Sequence, residues 1–280
     1  ILAAVSAAMV ARIPIAHLHG GEATEGLIDE AIRHSITKMS HLHFVAADSY
    51  RQRVIQLGEQ PDRVFMVGAL GLDSIARLNL LKRDELEASL NFKFRSRNFV
   101  VTFHPVTLES ATAEDQLQEL LLALEGLKDT GLIFTLPNAD TDGRVLIEMI
   151  ERFTQRHDNA RAYPSLGQLR YLSCVAECDG VIGNSSSGII EVPSLHKATI
   201  NIGDRQRGRL RAASVINCAP LREEISGSIA HMYSSKFRDG LATVQNPYGD
   251  GGASARVCSV ICSFPLEGIL KKRFFDLVER

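Results

Sequence analysis

A chain of 280 residues with 45% apolar and 23% charged residues has ordinary globular composition and room for one large or two medium domains. Its 31 basic and 33 acidic residues leave a net charge of −2, which gives no global attraction to nucleic acid or anionic lipid. No run approaches the roughly 20 consecutive apolar residues that a membrane-spanning helix needs.

The opening segment, Ile1 to Val10, is apolar, has no basic n-region and no initiator Met, and runs directly into an expected strand. It reads as an amphipathic or buried helix of a fold already begun, not as a signal peptide, so the N-terminal domain is expected to be truncated. Short β-branched runs then alternate with longer helical patterns, the signature of parallel sheets with helical crossovers. Expected strands are Ile13–His17, His43–Ala47, Arg63–Val67, Phe99–Phe103, Leu132–Leu136, Gly180–Ile182 and Ala198–Ile202. Expected helices are Leu27–Ser40, Ser49–Leu57, Thr112–Leu127, Asp142–Arg156, Leu166–Glu177, Gly188–Leu195 and Leu266–Arg280. The first is best marked, because Ile28, Ile32, Ile36 and Met39 form one apolar stripe. The charged stretch Leu81–Asn98 has a short apolar run and no clear strand until Phe99, and is taken as the boundary between two doubly wound halves. The expected division is 1–81 for the remainder of an N-terminal Rossmann-like domain, 98–265 for a C-terminal Rossmann-like domain, and 266–280 for a terminal helix packing back on the first.

Five cysteines, an odd number, argue against a disulfide framework and for a reducing compartment. Cys174 and Cys178, like Cys258 and Cys262, are four apart and could share a helix face, but the simpler reading is buried helical cysteines and no metal.

Five segments fall at the carboxyl ends of expected strands, where open α/β sheets bind ligands. The first is His17-Leu18-His19-Gly20-Gly21-Glu22, in which ring nitrogens and a carboxylate crowd a glycine turn. The helix after it starts Asp29-Glu30, with Arg33 and His34 one turn on. Asp29–Arg33 and Glu30–His34 are expected i,i+4 pairs; they suit either a solvated helix start or proton transfer at carbon. The second, Phe103-His104-Pro105, holds a histidine over the top of the sheet, although a lone strand-end histidine is commonly structural. In the third, Leu136 to Gly143, Asn138 and its neighbours suit helix capping as well as a ligand. The strongest is Gly183-Asn184-Ser185-Ser186-Ser187-Gly188-Ile189-Ile190-Glu191, a small-residue loop opening a helix. It would offer N–H groups and hydroxyls to an anion, with Glu191 in the first helical turn reaching ribose hydroxyls. Its G-x-S-x-x-G order does not fit a serine-hydrolase elbow. In the fifth, Gly203 to Arg211, four arginines at alternate positions could neutralise phosphates or simply be solvated. No aromatic interleaving supports an RNA strip there.

Taken in order, these segments resemble the hydrolysing UDP-N-acetylglucosamine 2-epimerases of sialic-acid and legionaminic-acid biosynthesis, over about Ile13 to Asp250. The resemblance implies two Rossmann-like α/β domains of the GT-B kind and a UDP-sugar in the interdomain cleft. No cofactor, no nucleic acid and no membrane partner are expected, and a cytoplasmic homo-oligomer is. It implies anti elimination of UDP across C1–C2 to 2-acetamidoglucal, then syn hydration to N-acetylmannosamine. By resemblance His104 contacts the diphosphate and assists UDP departure, Ser185 and Ser186 hold phosphates, and Glu191 holds ribose. Arg205 and Asn138 would take further parts of the nucleotide and Tyr171 would lie near the base. Asp29 would belong to the acid–base set, supported by Arg33. Two departures stand out. Many members have His-Ile-Glu-Gly-Gly where this chain has His17-Leu18-His19-Gly20-Gly21, so either His19 or Glu22 takes the carboxylate's role. Members also carry roughly ninety residues before this point, with a Gly-Asp-Arg motif whose Asp is catalytic; that earlier segment, distinct from Gly203-Asp204-Arg205 here, is not in this sequence. Other readings are a UDP-2,4-diacetamido-trideoxyhexose hydrolase and 2-epimerase, a GT-B glycosyltransferase, or a nucleotide-binding module without chemistry.

Overall fold

The computed structural model describes residues 1–25, 27–106, 112–138 and 141–277. The chain divides into two compact units, residues 1–76 with 247–280, and residues 77–246.

Unit 1 begins with α1 (Leu2–Val10), β1 (Ala16–Leu18), α2 (Asp29–Met39), β2 (Leu42–Val45), α3 (Asp48–Gln56), β3 (Val64–Met66) and α4 (Leu72–Arg77). β1, β2 and β3 form a parallel sheet in that order. β2 is buried at all four positions, and so reads as a continuous apolar run with a histidine in it. The opening helix forms, but Val5 alone is buried in it, so it is neither amphipathic nor buried as expected.

Unit 2 carries α5 (Arg83–Leu90), β4 (Arg97–Thr102), α6 (Ala113–Glu125), β5 (Thr130–Thr135), α7 (Thr141–Arg156), β6 (Ala160–Tyr163), α8 (Gly167–Glu177), β7 (Gly180–Gly183), α9 (Ser186–Ile190), β8 (Ala198–Ile202), β9 (Val215–Cys218), α10 (Arg222–Met232) and α11 (Ser235–Leu241). The chain then returns to unit 1 for α12 (Ala253–Ser263). The sheet of unit 2 is parallel throughout, in the order β6-β5-β4-β7-β8-β9. Apolar clusters pack on both its faces: Phe99, Val101, Phe134, Ile182 and Ile200 point to one, Val100, Ile133 and Val181 to the other. Succession along β4 runs outward through β5 to β6, and the chain then crosses back to β7. The order therefore reverses between β4 and β7, and in doubly wound sheets that reversal opens a crevice for ligand.

Several expectations are corrected. The stretch 81–98 is not a bare linker: Glu85 accepts from the Lys82 N–H at 3.0 Å and starts α5, which buries Leu86 and Leu90 against Phe92 and Val100. Two apolar residues four apart were too faint a stripe to read alone. β6 and β9 are not among the expected strands, because each is a short, half-exposed edge strand without a clean alternation. The return to unit 1 comes at Pro247, earlier than 266, because Tyr50 and Tyr248 share a buried hydrogen bond and Asp73 caps α12 through the Ala253 and Ser254 N–H groups. The terminal helix at 266–280 does not form among the described residues: 267–270 make a turn, and 271–277 are neither helix nor strand. Gly268 takes a left-handed φ of +68°, the Phe275 N–H donates to Gly58, and the Lys272 ammonium goes to Glu59, so tertiary partners override a helical period. Among the described residues no helix is long and apolar enough to cross a membrane. All five cysteines are free, and burial pushes the Cys174 thiol up to about 12.

Gly183 ends β7 at φ +140°, and a Cβ there would stand 1.9 Å from the Thr102 carbonyl oxygen of neighbouring β4. That oxygen is backbone in the centre of the sheet and cannot yield. Gly183→Ala is expected to cost about 3 kcal/mol or more, or to prevent folding. Urea unfolding of the variant, with a midpoint unchanged from wild type, would contradict this packing.

Candidate functional site

In unit 2 the switch point gathers three loops on one buried amide. Asn184, fully buried after β7, accepts from the His104 N–H through Oδ1 at 2.8 Å and donates from Nδ2 to the His104 carbonyl at 2.8 Å. Its own carbonyl accepts from Arg205 at 3.1 Å and from Gln206 Nε2 at 2.9 Å. Asn184 thereby ties the loops after β4, β7 and β8 together, and both faces of the His104 peptide are satisfied without a neighbouring strand. The His104 residue is left half-buried at the top of the sheet.

The serine loop follows directly. Ser185 caps α9, its oxygen accepting from the Ser187 N–H at 3.4 Å, so the helix starts at Ser186 and not at Gly188. It lasts five residues, because Pro193 lacks the N–H needed to continue and a 3-10 turn follows over Val192–Leu195. Glu191 therefore lies at the end of α9 and not in a first turn. Ser185 and Ser186 remain half-buried beside the His104 loop, with hydroxyl and N–H donors. The Tyr171 hydroxyl is buried beneath the loop beside Ser187 and Glu191, and desolvation pushes its pKa up. Its ring packs against the core cluster containing Val181 and Val192. Asn138 is exposed one strand further out, after β5; Ala139 and Asp140 of that motif, and Thr107 after Pro105, lie outside the described residues. Of the other arginines, Arg207 pairs with Asp204 at 3.6 Å and Arg211 reaches the Gln206 carbonyl at 3.4 Å.

In unit 1 the two alternatives for the missing carboxylate turn out to be partners: His19 Nδ1 lies 2.8 Å from Glu22 Oε1. Glu22 is buried, His19 is about one-third exposed, and His19 adopts a left-handed φ of +63° that swings its ring onto the carboxylate. Behind them Glu30 is a hub, accepting from the Thr24 N–H at 2.6 Å, from Arg33 at 3.1 Å, and lying 3.0 Å from His34 Nε2. Burial works to raise the Glu30 pKa, but the Thr24 N–H, His34 and Arg33 outweigh it and hold it below the usual carboxylate range. The expected Glu30–His34 pair forms. The expected Asp29–Arg33 pair does not: Arg33 turns to Glu30, the Glu22 carbonyl and the Thr24 hydroxyl, leaving Asp29 exposed at the first position of α2.

Sequence reading missed Glu30 as the hub, Asn184 as the tie and Gln206 as its second donor. The i,i+3 and i,i+4 spacing from Glu30 to Arg33 and His34 could have found the first. Nothing in the sequence marks the other two apart from their place within motifs. Among the described residues, no group of three or more His, Cys, Asp or Glu is arranged to hold a metal ion.

Burial of neutral histidines also fixes how stability varies with pH. Desolvation, with Arg33 and any proton on His43, His19 or His34 working the same way, brings His17 down to about 4; burial also lowers His41 and His43. A histidine depressed in the folded state binds fewer protons there than unfolded, so its contribution is whole above about pH 6.5 and is lost as pH falls toward 4. The urea midpoint is expected to hold between pH 8 and 7 and to drop steadily from pH 6.5 to 4. A midpoint rising over that acid range would contradict the burial described.

Comparison with known proteins follows the same lines. A family model described as UDP-N-acetylglucosamine 2-epimerase matches residues 1–262. The chain is 38% identical over 278 residues to the GDP/UDP-N,N'-diacetylbacillosamine 2-epimerase (hydrolyzing) of Campylobacter jejuni, covering 99% of this chain and 72% of that protein. It is 42% identical over 276 residues to the polysialic acid biosynthesis protein P7 of Escherichia coli, covering 98% of this chain and 70% of that one. The crystal structure of the UDP-GlcNAc 2-epimerase of Neisseria meningitidis bound to UDP-GlcNAc matches with a TM-score of 0.79 at 17% identity, over 93% of this chain and 73% of that one, a likeness of the GT-B-like fold. With a family model spanning nearly the whole sequence and relatives this similar over most of their own length, the chain belongs to the UDP-N-acetylglucosamine 2-epimerase family.

Proposed function

We propose that the chain is a hydrolysing UDP-N-acetylglucosamine 2-epimerase, converting UDP-GlcNAc to N-acetylmannosamine and UDP. The observation that carries this reading is the Asn184 tie, which sets His104 and the serine loop side by side at the switch point of unit 2 in a chain of this family.

In the elimination a base removes the C2 proton while the C1–O bond to UDP breaks, giving 2-acetamidoglucal. Water then supplies hydroxide to C1 and a proton returns to C2. His104 stabilises the departing diphosphate. Ser185 and Ser186 bind its oxygens, Arg205 adds charge, and Glu191 and Asn138 bind the nucleoside, with Tyr171 supporting the loop under the base. In unit 1 His19 handles protons with Glu22 orienting its ring, and Arg33 and Asp29 complete the acid–base set. A buried carboxylate behind a partly exposed imidazole is the arrangement that fixes a tautomer and stabilises the imidazolium when it forms.

A second substrate, a UDP-2,4-diacetamido-trideoxyhexose, is favoured by the similarity to the C. jejuni protein. Incubation with each sugar nucleotide, followed by product analysis, separates them. Release of N-acetylmannosamine from UDP-GlcNAc supports the first; turnover of the diacetamido sugar alone selects the second. UDP release that requires an added acceptor would point to a glycosyltransferase and overturn both.

A further inference from the structure

Beneath the first loop of unit 1 lies a second acid–base cluster, centred on buried His43 and Glu59 and reaching half-buried His17. His17 and His43 are register partners on β1 and β2, so their side chains stand on the same face of the sheet. His43 is fully buried, with Nε2 3.0 Å from Glu59 Oε2. Glu59, 2% exposed at its side chain, also binds Lys38 at 2.6 Å and Lys272 at 2.7 Å. Burial would raise the Glu59 pKa, but hydrogen bonds from His43, Lys272 and Lys38 bring it to about 2. An ionised carboxylate only accepts, so His43 donates from Nε2 and its Nδ1 carries the lone pair. That Nδ1 is buried without a hydrogen-bond partner. One carboxylate and two ammonium groups sum to +1, which opposes a further proton on His43.

His17 is fixed from the other side. Its Nδ1 lies 3.1 Å from Thr37 Oγ1, and that hydroxyl directs its proton to the Arg33 carbonyl at 3.2 Å. Thr37 therefore accepts from Nδ1–H, and Nε2 keeps its lone pair. A Cβ on Gly20 would stand 3.0 Å from His17 Nδ1, so a glycine there leaves the ring its place. The charged or titratable groups around the ring are His43 with Glu59 from β2 and its neighbouring turn, Arg33, His34 and Glu30 from α2, and His19 with Glu22 from the loop.

We propose that His17 is a hydrogen-bond acceptor for the sugar nucleotide, offering its bare Nε2 to a hydroxyl or amide N–H of the sugar, and that its register partner His43, held on Glu59 between Lys38 and Lys272, is the positioning layer packed against it. A neutral ring with a bare Nε2 accepts a hydrogen bond from a ligand donor at neutral pH, and a pKa of about 4 keeps it in that form. The inference rests on the epimerase reading for its ligand, but its first test does not need turnover.

In the protein labelled with ¹⁵N-histidine, two-bond ¹H–¹⁵N spectra assigned through His17→Gln and His43→Gln should show the His17 ring neutral from pH 8 to 5 and the His43 ring neutral at pH 7 and above. His17 should be protonated on Nδ1 and His43 on Nε2. A protonated His17 at pH 7, or the opposite tautomer, overturns the proposal and leaves the epimerase reading standing. Lys272→Met removes one cation and should raise the pH at which His43 protonates; Lys38→Met, at a more exposed lysine, should do the same if the first variant folds poorly. Unmoved titration in a folded variant overturns the positioning layer. Saturating UDP-GlcNAc should shift the His17 Nε2 resonance, and His17→Ala should raise KM about 10-fold or more with a smaller change in kcat, partly restored by His17→Gln. Binding without such a shift overturns the contact, whereas no binding of any sugar nucleotide overturns the epimerase reading itself.

Discussion

His104→Ala is expected to lower turnover by about 100-fold or more, the range for losing a group that assists a leaving group. The fold should survive, because the tie to Asn184 runs through the His104 backbone N–H and carbonyl and not through its ring. Melting temperature near wild type together with lost turnover is therefore the predicted signature. Near-normal kcat at saturating substrate would return His104 to a structural histidine at a strand end.

Asn184→Asp should be nearly as severe, for a different reason. Its Oδ1 can still accept from the His104 N–H, but the second oxygen cannot donate to the His104 carbonyl, which then loses its partner in a buried place at about 1–3 kcal/mol. The new carboxylate also stands where the diphosphate is proposed to bind. UDP affinity should fall about 10-fold or more, roughly 1.4 kcal/mol, beyond the loss of stability. Calorimetry on folded protein giving unchanged UDP affinity would remove Asn184 and its loop from the nucleotide site.

The two cases illustrate what a sequence can and cannot disclose. The parallel core strands were legible because burial on both faces demands unbroken apolar runs, and the long helices because their stripes recur at the helical period. Edge strands such as Ala160–Tyr163 answer to solvent on one side and lack that pattern. The tail at 271–277 has a plausible helical stripe, and only the distant Glu59 and Gly58 decide otherwise. Among the candidate residues, His19 and Glu22 in unit 1 and His104, Ser185 and Ser186 in unit 2 are visible as residue types crowded at strand ends. Their pairing was not: His19 and Glu22 read as alternatives and proved to be hydrogen-bonded, whereas the helix-spaced Asp29–Arg33 pair gave way to Glu30. Asn184 and Glu59 act through the partners that folding brings them, 80 residues away at His104 and 213 at Lys272.

Elimination followed by hydration has one consequence that no binding module, glycosyltransferase or internal hydride transfer shares. The C2 proton leaves in the first half-reaction, and a proton from solvent, or from an acid in exchange with it, arrives in the second. In D₂O, N-acetylmannosamine released from UDP-GlcNAc should carry deuterium at C2, visible as loss of the H2 signal in the proton spectrum. The carboxylates and histidines from His19 to His34 are the groups proposed for that exchange. Product with full protium retained at C2 would contradict elimination with exchange, and with it the central claim.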